Sequence, residues 1–193
     1  MGNNAAILAG VAAGGSDGLG LTWVAPEGTT VPTTATEALN GAFVDGGICS
    51  EDGLTFSPTK TSKEIKGFGS QQVQRTLVTD TKTTFQVSFL ETNLASIAVY
   101  AGKTLASVTA DGTGAIVGGT AYGSSTPVRY AIVFEAIDGN NRTRFVAPNC
   151  EVSERAERKI TAGEVDTRTV TITAYPDTIG NAVYEYNVVE ALI

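Results

Sequence analysis

Over much of the chain, apolar residues recur at every second position. In Thr84–Leu90, Phe85, Val87 and Phe89 fall on one face and Gln86 and Ser88 on the other, the alternation of a strand with one buried face. Arg168–Tyr175 repeats it with Val170, Ile172 and Ala174 opposite Thr169, Thr171 and Thr173, and Ala182–Val189 keeps Tyr184, Tyr186 and Val188 in phase. Val128–Ile137 differs. Val128, Tyr130, Ile132 and Phe134 share one face while Ala131, Val133 and Ile137 share the other, interrupted only by Arg129 and Glu135, which predicts a central strand covered on both sides. The turn residues Asp138-Gly139-Asn140-Asn141 then lead into Arg142–Val146, a predicted hairpin, and Asp45-Gly46-Gly47, Asp52-Gly53 and Pro176-Asp177 punctuate the other runs. This spacing predicts a mainly β chain, an antiparallel β-sandwich or barrel.

One stretch has the helical period instead. Leu94, Ile97, Ala98 and Ala101 stand at i, i+3, i+4 and i+7, after a capping residue at Thr92 or Asn93 and before Gly102, so a short flanking α-helix is expected over about 92–101. Residues 1–40 are rich in Gly, Ala, Thr and Pro, with a single strand-like island at Leu21–Val24, and read as an extended N-terminal arm. Residues 41–193 read as one β-sandwich domain. Within it, 55–72 carries Pro58, Lys60, Lys63, Lys66, Gly67 and Gly69 with little apolar content beyond Phe56, Ile65 and Phe68; this predicts a long loop or a protruding hairpin.

Composition narrows the function. The 193 residues carry 20 acidic and 13 basic side chains, a formal charge of -7, which disfavours a nucleic-acid-gripping domain. Histidine is absent, and with it the usual general base, the commonest zinc ligand and every Ser-His or Cys-His pair. The charge is also uneven. Residues 1–59 hold Asp17, Glu27, Glu37, Asp45, Glu51 and Asp52 and no base, whereas the first basic residue, Lys60, opens the run Lys60, Lys63, Lys66. The acidic stretch is either a solvated surface, or one that repels polyanions or meets the lysine run of a neighbouring copy.

Candidate chemistry is sparse. Gly14–Gly20 lacks the flanking strand and helix of a phosphate cradle, and Asp138–Asn141 lacks the spaced oxygen ligands of a calcium loop. Cys49 and Cys150 form no CxxC pair and read as two buried thiols. The apolar run 5–13 has no basic residue before it and does not read as a secretory signal, and no run approaches a membrane span. No catalytic residue, cofactor or metal is called for.

A resemblance adds what these patterns do not supply. Trp23-Val24-Ala25-Pro26 with Gly28-Thr29 and Pro32-Thr33, Ser50-Glu51-Asp52-Gly53-Leu54, Ile65-Lys66-Gly67-Phe68-Gly69, Thr84–Asn93, Arg144-Phe145-Val146 with Pro148, and Val170–Asp177 follow one another in an order that resembles the major tail tube proteins of long, non-contractile-tailed (siphovirus) bacteriophages, those of actinobacteria especially. It spans roughly residues 20–180. Phe68 stands where a tryptophan is expected.

The resemblance implies a tail tube β-sandwich whose copies form hexameric rings stacked into a hollow virion tube for genome delivery. It also implies assembly in the host bacterial cytoplasm, a tape measure protein inside, tail terminator and distal tail proteins at the ends, and DNA passing without tight binding. The residues expected at subunit contacts are Asp45, Glu51, Asp52, Lys60, Lys63, Ile65, Lys66 and Phe68. The alternative is a carbohydrate- or cell-binding sandwich in which Tyr175, Tyr184 and Tyr186 form an open platform; a carboxylate-only glycosidase is the more distant rival.

Overall fold

The computed structural model describes residues 21–69, 71–123 and 126–189. The Gly-rich stretch 14–20 lies outside the described residues. Among the described residues eight strands follow in order: β1 (Thr22–Pro26), β2 (Val44–Asp45), β3 (Cys49–Lys66), β4 (Val73–Phe89), β5 (Arg129–Asp138), β6 (Asn141–Arg155), β7 (Arg168–Ala174) and β8 (Tyr184–Val188), with α1 (Leu94–Ala101) between β4 and β5. All pairings between these strands are antiparallel, and the order is β2-β1-β5-β6-β7-β4-β3 with β8 on β6.

The long strand β6 turns this sheet into two layers. Its first half, Arg142–Val146, lies between β5 and β8, while its second half, from Cys150 to Arg155, pairs with β7. The break falls at Pro148, whose missing N–H cannot serve a ladder; there Tyr130 pairs with Cys150 and Ile132 with Ala147, leaving a bulge. Alternation in β1, β5, β4 and β7 then points Val24, Tyr130, Ile132 and Phe134 at Phe85, Val87, Val170 and Ile172, a core fully or almost fully removed from solvent. Phe85 meets Phe134 with ring centroids 4.7 Å apart and Phe56 meets Phe145 at 4.9 Å. Each such side chain contributes about 1.5–3 kcal/mol. The result is the expected antiparallel sandwich.

As its double-sided pattern requires, β5 is buried on both faces. Ala131 and Val133 look away from the main core onto a second cluster with Ala25, Val146 and Phe43, bordered by Leu39, Tyr184 and Tyr186. The described part of the expected arm therefore belongs to the body: β1 is inserted between β2 and β5, and the segment after it folds back across the sheet. Arg142 Nη1 donates to the Ala35 carbonyl (3.1 Å), and Arg144 Nη1 donates to those of Thr34 (2.8 Å) and Glu37 (2.7 Å). Sequence composition missed this because the contacts are made by distant arginines.

At α1 the local signals suffice. Asn93 Oδ1 accepts from Ser96 N–H (2.8 Å) and Ser96 Oγ accepts from Asn93 N–H (3.0 Å), a reciprocal box at the helix start. Gly102 ends the helix at φ 65°, where an added Cβ would also stand 2.3 Å from Arg155 Nη2. The two-residue turn between β5 and β6 is closed by Gly139, whose φ of 58° suits the first central position of a hairpin turn.

The loop expected at about 55–72 is corrected: the other reading, a protruding hairpin, is what forms. Residues 55–66 continue β3, laddered to β4 from Leu54↔Val87 out to Lys66↔Val73. From Pro58 outward its side chains face solvent on both sides, so the alternation that marks a half-buried strand is missing while the backbone ladder persists. Asp52-Gly53, expected as a turn, is instead part of a bulge in β3 between Cys49 and Leu54.

Candidate assembly surface

The outer β3–β4 hairpin is the longest exposed stretch among the described residues. Among described residues 59–82 none is buried, and only Leu77 is even partly shielded. From Leu54 to Lys66 the strand rises roughly 40 Å, and a two-stranded ribbon without a hydrophobic face is marginal by itself. At its tip, Phe68 is fully exposed, flanked by Gly67 and by Gly69 at φ 75°. Ile65, Val73 and Val78 are exposed as well.

Both register shifts in the outer hairpin put the extra residue on β4, so β3 keeps its alternation. Lys60 and Lys66 consequently share the face of Leu54 and Phe56, whereas Lys63 and Ile65 share the opposite one. The lysine run thus addresses two sides. Charge along the hairpin is one-sided: residues 60–82 hold Lys60, Lys63, Lys66, Arg75 and Lys82 against Glu64 and Asp80, a surplus of three, so the rest of the chain sums to -10.

The acidic candidates sit elsewhere. Asp45 ends β2 opposite Trp23 and accepts from Gly47 N–H (2.8 Å). Gly47 lies at φ 88° with Asn93 and Glu91 so close that a Cβ would stand 2.6 Å from Asn93 Nδ2, so the corner beside the start of α1 demands glycine. Glu51 and Asp52 are exposed on the β3 bulge. The strand's own length separates Lys63 and Lys66 from that bulge, and the three lysines make no ion pair among the described residues.

Sequence reasoning missed a groove of about 360 Å³ between β2, the start of α1 and the 3-10 turn Leu105–Ser107. Val44, Leu94, Leu105 and Val108 supply its apolar lining, and Asp45 lies on it. Val44 and Leu94 remain about 40% exposed. These residues come from separate segments, so no local pattern announces them; an apolar Leu94 at the outer start of a helix is the one hint.

Elsewhere the polar groups serve the fold. Glu135 and Arg144 form a buried ion pair across β5 and β6. Arg158 grips the Asp166 carboxylate through Nε (2.5 Å) and Nη2, with Arg168 Nη2 at 3.3 Å, and these bonds hold that carboxyl below the ordinary aspartate value of 3.8. Burial pushes the thiol of Cys150 far up and that of half-buried Cys49 up; both are free. The tyrosines of the alternative reading are half-buried: Tyr175 donates to Glu151 and stacks under Arg129, and Tyr184 donates to Asp177 (2.5 Å). They do not form the open platform that reading needs. No helix of the described residues is long and apolar enough to cross a membrane.

Comparison with known proteins adds one positive finding. The family model described as phage tail tube protein matches residues 2–186, nearly the whole chain. No individually curated protein shows significant similarity to it.

Proposed function

The chain belongs to the phage tail tube protein family, a structural virion component that assembles with itself into a tube, and from this we infer that six copies close into a ring and that rings stack into the conduit through which the genome is delivered. The observation that supports this reading best is β3. Among the described residues it is an 18-residue edge strand, laddered on one side to β4 alone, in a hairpin with no core of its own. Such an edge is a template for another chain, and its lysines guard against indiscriminate pairing. The eight strands of the described residues fill one sandwich, whereas an aqueous channel takes roughly 16 to 18 strands in porins, so a lumen admitting duplex DNA requires several copies to share one barrel.

Six is the number that the resemblance to siphovirus tubes carries. In that setting the tape measure protein occupies the lumen during assembly in the host cytoplasm, and terminator and distal tail proteins cap the ends. The surplus of acid suits a conduit, because a lumen that neutralised many phosphates would retain DNA through counterion release. Electron microscopy of the concentrated purified protein tests the reading. Six-fold rings or hollow tubes are expected; particles that remain monomeric at every concentration overturn it.

A further inference from the structure

Given that copies assemble through the hairpin, we propose that the acceptor for its tip is the groove between β2 and α1 of another copy, with Phe68 inserted among Val44, Leu94, Leu105 and Val108 and Lys66 beside Asp45. The proposal rests on the tube reading and adds the docking partner of the tip.

Three observations converge on this pairing. The first is chemical fit. Phe68 is the largest fully exposed apolar side chain, its glycine neighbours leave it free of crowding, and the groove is lined chiefly by apolar side chains with two of them still open to solvent. A second open pocket, between the hairpin base and the turn before β8, is lined by Thr81, Thr83, Asn181 and Glu185 as well as Phe56 and Val183, and offers an aromatic ring a more polar seat.

The second is charge. The hairpin carries a surplus of three positive charges and the remainder of the chain -10. The groove lies on the acidic side of this division: Asp45 lines it, and Glu91, which accepts from Ile48 N–H (3.0 Å), stands next to the same Gly47 corner. Opposed fields of this kind steer encounter and fix register. The third is reach. β2 leads directly into the base of β3, and the ladder carries the tip roughly 40 Å from that base. Phe68 at that tip is fully exposed and so is not seated in the groove of its own chain, which leaves the tip of a second copy as the occupant.

The experiment places a photo-crosslinking phenylalanine analogue at position 68 of the full chain, assembles it, and maps crosslinked peptides by mass spectrometry. Crosslinks from one copy into 44–45, 94–95 or 105–108 of another are expected. Tubes whose crosslinks fall at 176–185 or elsewhere overturn the groove assignment while leaving the tube reading intact. Wild-type protein that forms no rings or tubes overturns both. In parallel, Phe68→Ala should slow assembly about tenfold or more with an unchanged melting temperature. Lys66→Glu should slow it too, and combination with Asp45→Lys should recover part of the rate; assembly unaffected by Phe68→Ala contradicts the proposal.

Discussion

At the scale of single residues, the buried charges decide where the body is rigid. Arg144 and Glu135 are 2% and 7% exposed, and Arg144 spends its remaining donors on the Thr34 and Glu37 carbonyls. Arg144→Met would strand a buried carboxylate and release the segment that covers β5. A loss of about 3–5 kcal/mol is expected by urea denaturation; a loss under about 1 kcal/mol would mean that water reaches the pair. Asp166 gives the pH prediction. Its folded carboxyl is held below its unfolded value by the Arg158 hydrogen bonds and Arg168, so its contribution is present above pH 3.8 and is lost as pH falls through the depressed folded value. Melting temperatures followed downward from pH 6 should therefore drop steeply below about pH 4 in the wild type and less steeply in Asp166→Asn. Parallel profiles would remove Asp166 from the account.

Among the elements, α1 and β5 were the most legible in sequence because their determinants are local. Asn93, Ser96 and Gly102 cap the helix within one turn of its ends, and the double-sided run from Tyr130 to Phe134 declares burial on both faces. The β3–β4 hairpin was only half legible. Its β-branched residues Thr55, Thr59, Thr61, Thr76, Thr79 and Thr81 favour strand, but with both faces in water no alternation separates such a ribbon from a polar loop. Gly53 misled in the opposite sense, since Asp52-Gly53 reads as a turn between strands and proves to be part of a bulge inside β3. The candidate lysines are exposed, and their division between two faces depends on register, which composition does not supply. Replacing Lys60, Lys63 and Lys66 together by Glu should slow tube formation in light scattering and weaken its salt dependence. The melting temperature should hardly change, because exposed single charges contribute about 0–1 kcal/mol each. A lowered melting temperature with unchanged assembly would place these charges in contacts within one subunit.

For the whole molecule, charge and exposed backbone point to the same design: an acidic sandwich that is stable by its core and carries a basic ribbon that is not. A ring of six would hold -42 formal charges, six times -7. Assembled tubes should accordingly show no measurable affinity for duplex DNA at physiological salt, since like charge leaves no favourable counterion release. Tight, salt-sensitive binding would instead indicate a basic lumen. The claim on which the rest depends is that the hairpin finds in a neighbour the packing it lacks in its own chain. Hydrogen exchange over residues 59–82, compared between dilute monomer and assembled tubes, tests it most directly. Rapid exchange in the monomer and strong protection in the tube are predicted, with β5 and β7 protected in both; equal protection of the hairpin in the two states would contradict the account.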